Sequence, residues 1–267
     1  MDHIGLKIAF VAFLALSMIV SPAMGFGISG TVFAGEVSPG QKLVHHVVVS
    51  NGDNDSSLNM TAEIYGFARS LNGVNVALSP KDDTGPFTAR PFLSIEPNSF
   101  HLAKGETKVL NLSCTVPENV SSGGKYAIVA IKTAPKAGKS ITVSTAIQVL
   151  VMLTIKDTKL IKTGNITDLN VSKSKDGVAV DLIFKNTGNV HYKPLAQAVL
   201  KDENNRTLAE AEINLSSSNS ILPTDLRSLS MDLVPTTSLA PGLYRVETKV
   251  TNESETVLDS RETTIKV

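Results

Sequence analysis

Two adjacent histidines are the residues of this chain that come nearest to metal chemistry. His45 and His46 fall within the alternating run 43–49. Because successive side chains of a strand point to opposite faces, the two imidazoles cannot chelate the same ion. The pair therefore predicts no metal site.

A short pattern that resembles the start of a calcium loop follows the histidines. Asn51, Asp53 and Asp55 have the alternate spacing of such a loop. Ser56 stands where the loop needs glycine, and Ala62 stands where a glutamate would bind the ion through both oxygens. We interpret the segment as a solvated turn.

The chain contains no sequence motif for catalysis. It has no GxSxG elbow, glycine-rich phosphate loop, HExxH pair or CxxC pair. Its single cysteine, Cys114, alternates with Leu110, Leu112 and Val116, which is typical of a small core residue rather than a reactive thiol. We predict a non-catalytic protein with no catalytic residue, no metal, no cofactor and no small-molecule substrate.

Asparagine sequons are the most informative motif. The pattern N-x-S/T marks candidate N-glycosylation sites at Asn54, Asn59, Asn111, Asn119, Asn165, Asn170, Asn205, Asn214 and Asn252. In an exported protein this pattern indicates a glycoprotein whose sugars hydrate the surface. The alternative is that these are ordinary polar residues of strand edges and turns in an organism that does not glycosylate.

Charge and the N-terminal segment indicate where the protein acts. The chain has 25 basic and 25 acidic residues with no block of either sign, so it has no electrostatic footprint for nucleic acid. Lys7 precedes an apolar stretch, 8–20, that ends in the small residues 21–25. This pattern predicts a signal peptide over 1–25 and an exported, extracellular or envelope-associated protein; a retained N-terminal anchor is the alternative.

A two-residue hydrophobic period dominates the rest of the chain. It predicts strands, separated by turn dipeptides, at 43–49, 58–65, 108–117, 125–132, 141–153, 177–184, 195–200, 243–250 and 256–267. The best local helix candidate, 207–213, is short and isolated. We predict an all-β protein of two consecutive immunoglobulin-like antiparallel β-sandwich domains.

An internal repeat supports two domains. The offsets from proline to glycine to tyrosine are equal in the two halves, which marks equivalent structural corners at Pro117, Gly124, Tyr126, Pro235, Gly242 and Tyr244. We expect the glycine to supply a positive φ and the tyrosine hydroxyl to bond backbone. The charged stretch after the run 141–155 predicts domain 1 at 26–156, a tight linker at 157–164 and domain 2 at 165–267. A linker this short favours an extended, rod-like arrangement of the two domains end to end.

The first half also resembles a known family. The segments VSPGQKLVHHVVVSNGDNDSSLNMTAEIYGFARSLNG and FLSIEPNSFHLAKGETKVLNLSCTVPENVSSGGKYAIVAI are similar to the N-terminal domain of the WxL-interacting cell-surface proteins, or of a related archaeal or bacterial Ig-like surface protein. The resemblance implies two Ig-like domains after a signal peptide, the first binding cell-wall polymer and the second a surface protein. It implies no particular binding residue.

Three functions follow from these observations. The first is a structural or adhesive cell-surface module that binds envelope polymer or surface proteins through sheet faces and strand edges. The second is a periplasmic-type assembly chaperone that acts by strand donation. The third is a carbohydrate-binding accessory domain, which the absence of tryptophan disfavours because such a domain needs an aromatic platform.

Overall fold

The computed structural model describes residues 25–134, 145–215 and 220–267. In these ranges the regular structure consists of seventeen β-strands and one 3-10 helix, Arg90–Phe92. The predicted all-β class is confirmed. The predicted signal peptide lies outside the described residues, apart from Gly25.

The first ten strands form an N-terminal sandwich. They are β1 (Phe26–Ser29), β2 (Val32–Val37), β3 (Lys42–Asn51), β4 (Leu58–Arg69), β5 (Asn75–Leu78), β6 (Leu93–Glu96), β7 (Ser99–Leu102), β8 (Thr107–Thr115), β9 (Gly124–Thr133) and β10 (Ala146–Ile155). One sheet has the order β1-β3-β8-β6, and the other has the order β2-β10-β9-β4-β5 with β7 beside β4.

The remaining strands form a C-terminal sandwich. They are β11 (Gly164–Lys173), β12 (Val178–Asn186), β13 (Leu195–Lys201), β14 (Thr207–Asn214), β15 (Leu226–Leu233), β16 (Leu243–Thr251) and β17 (Val257–Lys266). Its two sheets have the orders β11-β12-β15 and β14-β13-β16-β17. The predicted linker, 157–164, lies between β10 and β11 except for Gly164, which begins β11.

The N-terminal strand changes sheets. β1 pairs antiparallel with β3, whereas β2 pairs parallel with β10. The crossing lies at Gly30, whose φ of 74° is accessible to glycine at little cost. The His45 ring bonds the Gly30 carbonyl at 2.8 Å and stacks on Phe33 of β2 at 4.9 Å. β2 thereby reaches the edge of the sheet that contains β10.

Alternating side chains build both cores. Leu110, Leu112 and Cys114 of β8 are at most 1% exposed, which confirms the predicted core position of the cysteine. Burial raises the pKa of the Cys114 thiol to about 11. The C-terminal sandwich has its own apolar cluster, in which Phe184 and Tyr192 are among the largest buried side chains.

The segment 207–213, set aside above as a short and isolated helix candidate, forms strand β14. Ala209 is buried and Ala211 and Ile213 are partly buried, while Glu210 and Glu212 are exposed. That alternation matches pairing with β13. Alanine and glutamate favour helix locally, but sheet packing overrides a weak local propensity.

The two corners differ in the role of their glycines. Neither Gly124 nor Gly242 has a positive φ; in the first corner the preceding residue, Gly123, has φ 94°. A Cβ on Gly124 would overlap the Tyr126 hydroxyl and ring, whereas a Cβ on Gly242 would lie 3.8 Å from its nearest atom, in the Tyr244 ring. Gly124 is thus required by close packing rather than by backbone conformation.

This difference gives the first testable prediction. Gly124→Ala is expected to lower the free energy of unfolding by about 1–3 kcal/mol, because the new methyl group displaces Tyr126. The matched variant Gly242→Ala is expected to change it little. Urea denaturation of both variants measures the contrast, and equal losses would contradict the packing role of Gly124.

Candidate functional site

The loop between β12 and β13 organises the junction between the two sandwiches. The Asn186 amide donates to the carbonyls of Val190 and Ile221 at 3.0 and 3.1 Å. Its Oδ1 accepts the Gly188 N–H at 2.8 Å. Asn186 is fully buried, so these bonds make the loop rigid.

Asn189 joins this loop to the connection between the sandwiches. Its Oδ1 accepts the Ile161 N–H at 2.7 Å, and its Nδ2 donates to the Lys159 carbonyl at 2.9 Å. Its carbonyl accepts the Gly124 N–H of the first sandwich, also at 2.7 Å. The connection, the loop and the first corner therefore form one hydrogen-bonded unit.

Tyr126 makes the next contact between the sandwiches. It is 2% exposed, and its hydroxyl accepts the His191 N–H at 2.9 Å. The two rings meet edge to face at 5.6 Å. Burial raises the pKa of Tyr126, and burial lowers the pKa of His191.

The end of β4 makes a second set of bonds. The backbone N–H of Arg69 donates to Asp225 Oδ2 at 3.1 Å. The Arg69 guanidinium bonds the Ser220 carbonyl through Nη1 and Asn75 Oδ1 through Nε, the latter at 3.3 Å. Arg69 is 6% exposed, so its cation lies between the sandwiches and largely away from water.

The turn after β4 covers the edge of β15. The Leu71 carbonyl accepts the Ser228 N–H at 2.9 Å. Gly73 lies so close to the Arg227 guanidinium that a Cβ there would overlap Nη1. An apolar cluster completes the interface with Phe67, Tyr126, Ile128 and Leu222 as its buried members. The contacts between the two sandwiches therefore extend well beyond the linker, whereas an extended rod-like arrangement would leave them near the linker alone.

Desolvated charge is concentrated at this junction. Burial raises the pKa of Asp225 to about 6 although Arg69 and Arg227 oppose the shift. Burial also lowers the pKa values of both arginines. Groups with perturbed pKa values cluster at functional sites, so we treat the junction as one candidate site.

Sequence reasoning did not identify the charged residues of the junction. Arg69 and Asp225 are 156 positions apart, and neither belongs to a motif. An arginine that interrupts the apolar end of a strand, as Arg69 does, is the one local signal that points to such a contact.

The first half of β10 is a second candidate surface. β9 pairs with β10 from Ala146 to Thr154, but β2 pairs with it only from Leu150 onward. In the part of the chain that the structure describes, no strand pairs with the outer edge of 146–149. These residues expose backbone donors and acceptors to a partner strand.

The predicted sequons are spread over both sandwiches. Seven of the nine asparagines are exposed: Asn54, Asn59, Asn111, Asn119, Asn170, Asn205 and Asn214. Asn165 is partly buried. Asn252 is 9% exposed, and its Oδ1 accepts the N–H groups of Ser254 and Thr256. Asn252 is thus the least accessible candidate, and the nine residues form no common site.

The residues considered for metal binding are separated. His45 bonds Gly30, and His46 bonds Asn111 Oδ1 at 2.9 Å. The Asn51 amide donates to the carbonyls of Ser56 and Ala103, as Asn186 does in the second half. Among the described residues, no three His, Cys, Asp or Glu side chains are grouped to hold a metal ion.

Comparisons with known proteins find likeness only in structure. No family model matches the chain, and no curated protein matches it. The E. coli chaperone DraB is 13% identical over 91% of this chain and 97% of its own, with a TM-score of 0.40.

Two other solved structures are similar. The Pseudomonas aeruginosa CupB2 chaperone is 10% identical, with 90% of this chain and 100% of that chain covered and a TM-score of 0.37. A chain of the Salmonella enterica SafA pilin and SafB chaperone complex is 10% identical, with 92% and 98% covered and a TM-score of 0.41. The likeness concerns the β-sandwich architecture alone.

Within the described ranges, no helix has the length and apolar character to cross a membrane.

Asp225 gives a prediction about pH. Its pKa in the folded chain, about 6, is above its ordinary value of 3.8, so the folded chain holds this proton more tightly than the unfolded chain. The stabilisation from the proton is complete below about pH 4 and is lost as the pH rises to about 6. The difference in unfolding free energy, wild type minus Asp225→Asn, is therefore expected to fall across this interval.

Urea denaturation between pH 4 and pH 7 measures this difference. Asp232→Asn, at an exposed position of β15, serves as the control for a carboxylate outside the junction. A difference for Asp225→Asn that rises with pH would mean that the arginines, and not burial, dominate at Asp225.

Proposed function

We propose that this chain is an exported, non-catalytic module of the cell surface that binds a partner protein through an exposed strand edge. The observation that carries the proposal is the outer edge of β10 at 146–149, which is unpaired within the described ranges. A partner strand that added there would gain main-chain hydrogen bonds and extend the sheet of β2, β10, β9, β4 and β5.

The direction of the backbone groups supports this proposal. The Leu150 N–H points away from β9 and donates to the Thr31 carbonyl at 2.9 Å. Because hydrogen-bonding direction alternates along a strand, the N–H groups of Gln148 and Ala146 point the same way. They meet no strand in the described part of the chain, so this edge is ready for pairing.

The side chains of this edge add a second means of recognition. Val149 is fully buried in the core and Ile147 is partly buried against it, so the edge is anchored on an apolar layer. Gln148 is partly exposed and lies on the opposite face. A bound strand would thus be recognised through backbone pairing and through both faces of the extended sheet.

The setting of the module is part of the proposal. We infer a signal peptide over 1–25, export to the envelope or beyond, and glycosylation at exposed sequons such as Asn54 and Asn119. Membership of the WxL-interacting family would make envelope polymer a further partner. The bonded junction keeps the two sandwiches in one orientation and so presents the β10 edge at a defined angle.

An assembly chaperone is the second candidate function. The sequence alternation that ends in β10 begins upstream at Ile141 and Val143, outside the described residues. Strand donation to an immature subunit requires an extended segment with an open edge, and the described residues 146–149 offer such an edge. Co-purification of an unassembled subunit would favour the chaperone, and stable retention on the envelope favours the surface module.

The edge proposal is tested by Gln148→Pro. Proline removes the outward N–H and is tolerated at a free strand edge, so the variant is expected to fold. Loss of this bond and the clash of the ring are expected to weaken partner binding about tenfold or more. The measurement is the fraction of protein that sediments with the envelope when cells are fractionated.

Gln148→Ala is the matched control, because it shortens the same side chain and keeps the backbone donor. It is expected to remain with the envelope like the wild type. Equal retention of Gln148→Pro and Gln148→Ala would exclude edge pairing at β10. Recovery of the wild type only as a free soluble monomer would remove the surface function itself.

A further inference from the structure

Two side-chain nitrogens of Arg227 are buried without a hydrogen-bond partner in the described part of the chain. This residue lies near the start of β15 and is 3% exposed. Its Nε and Nη2 atoms are shielded from solvent and have no acceptor. Burial of a guanidinium with unsatisfied donors is strongly unfavourable, and a bound water or ion is one way in which a native protein satisfies such a group.

The two unsatisfied atoms form one recognition edge. In a guanidinium, Nε–H and the adjacent Nη2–H point in parallel on the same side of the plane. This pair matches two oxygens of one carboxylate, sulfate or phosphate group. The remaining nitrogen, Nη1, lies against Gly73. The two nitrogens that lack a partner in Arg227 are therefore the pair that, in other arginines, commonly binds an oxyanion.

The surrounding charges are not balanced. Arg69 and Arg227 are both buried at the junction, and Asp225 is the one carboxylate among the described residues whose charge interacts with both of them. Asp225 Oδ2 accepts the Arg69 N–H. Glu253, which acts on the nearby His191, is paired with Lys162 at 3.2 Å. Two cations thus share one anion, and a neutral water would not correct this balance.

We propose that the junction binds a small inorganic oxyanion, such as sulfate or phosphate, on the Nε and Nη2 edge of Arg227. The anion supplies the missing negative charge and accepts both unsatisfied N–H groups. It thereby stabilises the contact of the turn after β4 with β15. The site is distinct from the β10 edge, so failure of either proposal leaves the other unaffected.

The turn over Arg227 controls access to this edge. The turn contacts β15 through the bond from Ser228 to the Leu71 carbonyl and packs Gly73 on the guanidinium. Leu71 and Asn72 are exposed, and the turn has no other hydrogen bond to the second sandwich among the described residues. Entry of the anion requires this turn to move, because the two nitrogens are shielded from solvent. Once bound, the anion is expected to favour the closed junction, because it neutralises charge beneath the turn.

The test is thermal unfolding of the full chain in sodium sulfate and in sodium chloride at equal ionic strength. The wild type is expected to show a saturable rise in Tm with sulfate beyond that with chloride. Arg227→Met keeps the side-chain length and removes the fork and the charge. It is expected to unfold at a higher Tm than the wild type in anion-poor buffer and to bind sulfate at least about tenfold more weakly.

Arg206→Met is the matched control, because Arg206 has a side chain that is 77% exposed. It is expected to keep the wild-type response, which separates site binding from the general stabilising effect of sulfate. Should Arg227→Met not fold, Arg227→Lys keeps a charge without the fork and is expected to respond more weakly than the wild type. An equal sulfate response in the wild type and the Arg227 variants, or none in the wild type, would overturn the proposal.

Discussion

The orientation of the two sandwiches depends on the polar bonds of one buried loop. The Asn186 side chain bonds two backbone groups of the loop and the carbonyl of Ile221. Asn189 bonds both the connecting segment and the Gly124 corner. The three Asn186 bonds are buried and costly to lose, because a group left behind there has no water to replace its partner. The loop therefore fixes how the second sandwich meets the first.

This constraint explains why charge is buried at the junction. Once the loop holds the sandwiches together, the end of β4 and the start of β15 face each other. Arg69 and Arg227 are then buried, and Asp225 beside them is partly buried. Hydrophobic contacts between Phe67, Ile128 and Leu222 favour the same arrangement. Closure of the junction buries the Arg227 guanidinium although two of its nitrogens have no acceptor. This unfavourable burial is the physical reason to expect an anion there.

The fold was predictable from sequence to the extent that it depends on local alternation. The pattern around Leu110 and Cys114 predicts β8, and similar runs predict most of the long strands. Short strands such as β6 and β7 were not predicted, because four residues are too few to show a two-residue hydrophobic period. At 207–213 the sequence predicts neither element, because the local helix propensity is weak and the strand is defined by its pairing with β13. The junction was not predictable, because its partners are distant in the chain.

The repeated corners show why position in a sequence pattern does not determine a partner. Tyr126 and Tyr244 occupy the same place relative to proline and glycine. The Tyr244 hydroxyl donates to the Ala240 carbonyl of its own corner at 2.8 Å, whereas the Tyr126 hydroxyl accepts the His191 N–H of the other sandwich. The second sandwich takes the place of a local hydrogen-bond partner only where it is in contact with the tyrosine. The same sequence element is thus a local brace in one half and an inter-sandwich contact in the other, and the difference arises from what the chain packs against it.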